Sequence, residues 1–139
     1  MQRNKKIRLV IDVNIWISTF LSLTMRGRAE VFFDSANTVL VSGELFGELD
    51  DAVCKPHLAK QIIRTNYEEL VVKLRNNAEL IDVHSVVEVC RDPKDNFLLA
   101  LAKDGNADYL ITGDDDLLVL ETFEKTKIVK LTDFEIAFP

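Results

Sequence analysis

The sequence predicts an α/β fold: a single domain with an open, twisted, mainly parallel sheet of about five strands and helices on both faces. Three observations lead there. The chain has 139 residues, inside the size range of one domain that buries its own core. Short β-branched apolar runs alternate with stretches of helical periodicity, the pattern of strands joined by right-handed crossovers. Internal repeats, linkers and low-complexity tracts are absent from the sequence.

The elements follow in order. Ile7 to Ile11 reads as the first buried strand, and Val31, Phe32, Ser35 and Ala36 suggest a first helix. Thr38 to Val41 is a second strand, followed by a helix with the apolar stripe Leu45, Phe46, Leu49, Ala52 and Val53. Thr65 can cap a third helix, in which Tyr67, Leu70, Val71 and Leu74 recur at helical spacing. After a strand from Leu80 to Val83, a fourth helix begins near Asp95. It is apolar nearly all round through Phe97, Leu98, Leu99, Ala100 and Leu101, and can stop at Gly105. Tyr109 to Thr112 and Lys127 to Leu131 supply the last strands. Trp16 and Phe20, one helical turn apart, are expected in the core or a subunit contact rather than stacked on bases.

Composition excludes several classes. With 47% hydrophobic and 29% charged residues the chain is neither disordered nor fibrous. Asp12 breaks the apolar stretch after Arg3, Lys5, Lys6 and Arg8, so no signal peptide is expected, and no apolar run is long enough for a bilayer. The expected location is the cytoplasm. Cys54 and Cys90 lie outside any zinc or redox spacing and are expected to be buried thiols. His57 and His84 have no partner spacing. A net charge of −6 argues against a broad basic surface that grips nucleic acid, although carboxylates gathered around cations would produce the same balance.

The placement of the acids is more specific. Asp12 ends the first strand and Asp114 follows the fourth, two positions where a lone carboxylate would resist desolvation. Open α/β sheets bind ligands at such carboxyl ends, where the strand order reverses. Asp95 lies at the start of the apolar helix, where it either caps that helix or enters the same crevice. One of Glu44, Glu48 and Asp51, which share a face of the second helix, can supply a fourth acid. Asp92 before Pro93 and Asp115 beside Gly113 read as turn residues. Close carboxylates repel one another and need positive charge between them, and oxygen ligands without Cys or His favour Mg²⁺ or Mn²⁺.

These residues form ordered motifs: Val10-Ile11-Asp12-Val13-Asn14, Ser42 with Glu48, Arg91-Asp92-Pro93-Lys94-Asp95-Asn96, and Thr112-Gly113-Asp114-Asp115-Asp116. As a set they resemble the PIN-domain nucleases over essentially the whole chain. The resemblance implies Asp12, Glu48, Asp95 and Asp114 as the acidic site, with metal held by Asp12, Asp95, Asp114 and Asp116. Glu48 is chosen over Glu44 by the family's spacing from the serine. Asn14 and Thr112 would orient the carboxylates by hydrogen bonds. Val13 replaces the more usual threonine, on the side of the strand end away from Asp12 and Asn14.

The resemblance further implies an endoribonuclease acting on single-stranded RNA, the toxin of a toxin-antitoxin pair with an antitoxin protein as partner. A homodimer is expected. Arg26, Arg28, Arg91 and Lys94 flank the crevice and are candidates to hold substrate, each with solvated surface charge as the plainer alternative. A haloacid-dehalogenase-like phosphatase would need an acid where Asn14 stands, and a receiver domain would need one where His84 follows Val83. A non-catalytic PIN-like domain that binds RNA or protein would usually lack some of the acids present here.

Overall fold

The protein's structure, a computed structural model, describes residues 6–21, 26–56 and 64–138. Its centre is one six-stranded sheet. The strands are β1 (Ile7–Ile11), β2 (Asn37–Val41), β3 (Glu79–Leu80), β4 (Tyr109–Ile111), β5 (Thr122–Phe123) and β6 (Thr126–Val129), in the order β3-β2-β1-β4-β6-β5. All pair in parallel except β5 with β6. The chain winds from β1 outward through β2 to β3, then returns to the other side of β1 as β4. The order therefore reverses between β1 and β4, whose ends meet in the register Ile11 opposite Ile111.

Parallel strands covered on both faces read as unbroken apolar runs. Leu9, Val10 and Ile11 of β1 and Leu110 and Ile111 of β4 are fully buried. The short helix α1 (Val13–Trp16) leads into a π-helical turn (Ile17–Leu21), and a 3₁₀ segment (Arg26–Phe33) precedes β2. Trp16 sits edge-on to Phe32, placing it and Phe20 in the core. Ser42 caps α2 (Gly43–Val53) by accepting from the Leu45 N–H, and Leu45, Leu49, Ala52 and Val53 form its buried stripe. That helix packs against α1 and α4 (Asn96–Asp104). Leu98, Leu99, Leu101 and Ala102 of α4 are all fully buried, as its apolar circumference requires. Among the described residues no helix is long and apolar enough to cross a membrane.

Several expectations change. The sheet has six strands rather than about five, because the two-residue edge strand β5 carries little apolar signal. Of the expected strand Leu80 to Val83 only Leu80 is in a strand, together with Glu79 before it, and residues 81–89 run on without regular structure. Their polar groups are partly met by side chains instead: Asp104 accepts from the backbone N–H of His84 at 2.6 Å and of Ser85 at 2.8 Å. Ser35 and Ala36 fall in a turn, where Asp34 accepts from the Ala36 N–H, so they extend no helix. Thr65 lies inside α3 (Arg64–Asn77) and does not cap it. Leu131 leaves the last strand and opens α6 (Leu131–Ala137). Cys54 is exposed at the end of α2, while Cys90 is buried. His57 lies outside the described residues, and the exposed His84 pairs with Asp82.

Gly105 ends α4 as expected, but for a reason of space. Its φ of −88° suits any residue. A Cβ there would meet Leu40 Cδ1 at 2.7 Å and the Leu101 carbonyl oxygen at 3.0 Å, because the chain passes directly over β2. Gly105→Ala is expected to destabilise the fold by about 1–3 kcal/mol through overpacking, measured as a lower denaturation midpoint with an unchanged slope.

Candidate metal centre at the switch point

Asp12 leaves the end of β1 and caps α1, its Oδ1 accepting a 3.4 Å hydrogen bond from the Asn14 N–H. Asp114 leaves the end of β4 and caps α5 (Asp115–Leu118), its Oδ1 accepting from the Asp116 N–H at 2.9 Å. The two are linked by Thr112, which is fully buried. Its Oγ1 accepts from the Asp114 N–H at 3.0 Å and donates its single proton to Asp12 Oδ2 at 2.6 Å. The orienting role implied for Thr112 thus has a definite geometry. Asn14 instead reaches Asp12 through its backbone, and its side chain is exposed.

Asp95 occupies the cap position of α4 yet makes no capping bond. Its Oδ2 is buried and has no hydrogen-bond partner among the described residues. What it faces is the Asp114 carboxylate, close enough to hydrogen-bond if one of the pair carries a proton. As two anions they have no donor between them. Burial, then Asp114, Asp12 and Asp92 in turn, push the Asp95 carboxyl up to about 8. Asp12 is also raised, chiefly by burial, with the bonds from Thr112 and Asn14 opposing and the Asp114 charge adding to the rise.

Asp95 belongs to a second group as well. One carboxylate oxygen from each of Asp92, Asp95 and Asp116 lies within 4.8 Å of the others, a spacing that one cation can bridge. By its place before Pro93 the sequence marks Asp92 only as a turn residue. It does cap the 3₁₀ turn Pro93–Asp95, accepting from the Lys94 N–H at 3.1 Å, but the same turn aims it at Asp95. The sole sequence signal was its place three residues before Asp95.

The strand-end loops are stitched together. Asn96 accepts from the Cys90 N–H at 2.9 Å, and the Cys90 thiol contacts the Asp116 carbonyl oxygen at 3.5 Å. Arg91 pairs through Nε with Asp116 Oδ1 at 3.0 Å, and its Nη2 donates to the Asp115 carbonyl at 3.3 Å. Glu48 is exposed on α2 and makes no polar contact among the described residues. Glu44, one turn earlier, lines an open groove of about 570 Å³ together with Ser42, Pro93, Asn96 and Phe97. Of the other cations, Lys94 is exposed, and Arg28 is held by Glu135 of α6 through Nε at 3.0 Å, which already neutralises it. The side chain of Arg26 lies outside the described residues.

A mostly parallel sheet with aspartates gathered where its strand order reverses defines an α/β protein with an acidic site at its switch point. The sequence model of the PIN domain matches residues 8–116, and the chain belongs to that family. The match ends before β5, β6 and α6, so the sheet extends beyond it. Comparison with curated proteins finds no match.

The donor set fits a hard divalent cation: hard carboxylate oxygens, one of them buried and without a partner among the described residues, no imidazole within the group, and a neighbouring Cys90 thiol that burial pushes up and so keeps from thiolate. Without metal, the folded protein holds a proton on Asp95 that the unfolded chain releases above its ordinary pKa of 3.8. Stability should therefore fall as pH rises between that value and about 8, and level off above. In EDTA, the melting temperature of wild type relative to Asp95→Asn is expected to decline from about pH 5 to about pH 8.5. A constant difference across that range would contradict the buried, raised carboxyl.

Proposed function

We propose that the chain is a divalent-metal-dependent endoribonuclease that hydrolyses phosphodiester bonds of single-stranded RNA with Mg²⁺ or Mn²⁺. The observation that carries this reading is the contact of Asp95 with Asp114 beside the buried Asp12, three anions tolerable together only around positive charge. Asp12, Asp95 and Asp114 would hold the metal, with Asp92 and Asp116 within reach of a further ion. Bound ions would supply Lewis acidity, acidifying the attacking water and stabilising the departing oxygen.

The chain's own residues do the positioning. Thr112 holds Asp12 Oδ2 by a hydrogen bond and fixes the Asp114 backbone in the same bond network. Asp12 and Asp114 each use one oxygen as a helix cap; the second oxygen of Asp114 is left for a ligand. A helix acid, Glu48 by family spacing or Glu44 by its place on the groove, would orient the water. Water attacks phosphorus and the bond to the 3′ oxygen breaks, giving the 5′-phosphate and 3′-hydroxyl ends that the resemblance implies.

The role of toxin in a toxin-antitoxin pair, with an antitoxin protein bound, rests on family resemblance; action in the cytoplasm rests on the sequence pattern, and a homodimer on how common dimers are among soluble enzymes and in similar chains. Membership in the PIN family supports the nuclease class; the metal and the RNA substrate follow from the donor chemistry and the resemblance together.

Incubation with labelled single-stranded RNA and Mn²⁺ is expected to give cleavage that Asp12→Asn and Asp95→Asn abolish. Cleavage persisting in both would point to a contaminant, and no cleavage by wild type would favour a binding-only domain. Thr112→Val should cost about 10- to 100-fold in metal affinity or activity, because Asp12 loses its orienting partner. Millimolar Mn²⁺ should raise the melting temperature of wild type but not of Asp12→Asn, since a ligand that prefers the folded state stabilises it.

A further inference from the structure

Arg91 is tied to the acidic centre in a way that the family motif does not explain. Its Nε meets Asp116 Oδ1 at 3.0 Å and its Nη2 meets the Asp115 carbonyl at 3.3 Å. The carboxylate it holds is one of the three within 4.8 Å of one another, so a cation bridging Asp92, Asp95 and Asp116 would compete for the group Arg91 now neutralises. The side chain is nevertheless 60% exposed and that of Asp116 is 37% exposed. An ion pair that open to water contributes little stability and exchanges readily.

The backbone around Arg91 is fixed on both sides. Cys90 is anchored by Asn96 and by its thiol contact with Asp116, and Asp92 caps the turn that follows. The guanidinium therefore extends, largely exposed, from a fixed backbone beside the acids. Its planar fork suits phosphate as well as carboxylate.

We infer that Arg91 is a placeholder cation: it neutralises Asp116 until a divalent ion takes that carboxylate, and then turns to a phosphate of the RNA beside the scissile bond. This rests on the proposed metal-dependent nuclease reading. Like charge makes the two positions exclusive, so the guanidinium leaves when the ion arrives and supplies positive charge to a substrate that a chain of net charge −6 otherwise repels.

The test compares wild type with Arg91→Ala and Arg91→Lys in two measurements. Mn²⁺ titration followed by electron paramagnetic resonance, without RNA, reads metal affinity alone. Arg91→Ala is expected to bind the weaker Mn²⁺ about five-fold more tightly, the size expected from removing one exposed competing charge. With Mn²⁺ saturating, its KM for single-stranded RNA should rise about five-fold, with kcat within about two-fold. The slope of log KM against log salt should fall by about 0.7, the value of one phosphate contact on a single strand. Arg91→Lys keeps the charge and loses the fork, so it should retain the salt slope.

Unchanged or weaker Mn²⁺ binding by Arg91→Ala, or an unchanged KM, would each overturn the inference while leaving the nuclease reading in place. Wild type that takes up no Mn²⁺ would remove both.

Discussion

Mutual repulsion among carboxylates governs this molecule more than any other force. Asp12, buried, and Asp95 and Asp114, half-buried, converge where water can screen them only in part, and Asp92 and Asp116 stand close behind. The surrounding structure is a set of devices for keeping such groups together. Thr112 donates to one acid while accepting from the backbone of another, and helix starts supply N–H groups to Asp12, Asp92 and Asp114. Among the described residues, Asp95 Oδ2 is given no donor. The tension left on that residue is where a cation has most to offer.

The frame that holds the acids is apolar and rigid, and the loops that carry them are fastened to it from both directions. Asn96 grips the chain at Cys90, and Asp104 grips it again at His84 and Ser85, so the segment without regular structure is held from the two ends of α4. Sites built on rigid elements position ligands better than free loops do. Here the loop borrows that precision from the most deeply buried helix.

The sequence revealed what periodicity and strand ends determine. β1, β2, α2, α4 and β4 emerge at or near their expected bounds because each is a buried apolar run with clear punctuation. Asp12 and Asp114 were legible because an acid after a buried strand is costly without purpose. What escaped depends on contacts distant in the chain. β5 is a short edge strand with little apolar signal, and β3 stops early because side chains take the bonds a neighbouring strand would have made. Asp92 looked like a turn residue and is one; only the fold shows that this turn faces Asp116. Arg28 and Arg91 were indistinguishable as cations until one proved to be held by Glu135 and the other by the acids of the crevice.

The bond between Thr112 and Asp12 spans 100 positions of the chain. For a protein that cuts RNA as proposed, this separation has a meaning during synthesis. A ribosome that has made β1, β2 and α4 has produced Asp12, Asp92 and Asp95 but none of the residues 112–116 that complete the acidic site. The growing polypeptide would stay harmless to the message being translated, and to the ribosome itself, until the last portion emerges and β4 slides in beside β1.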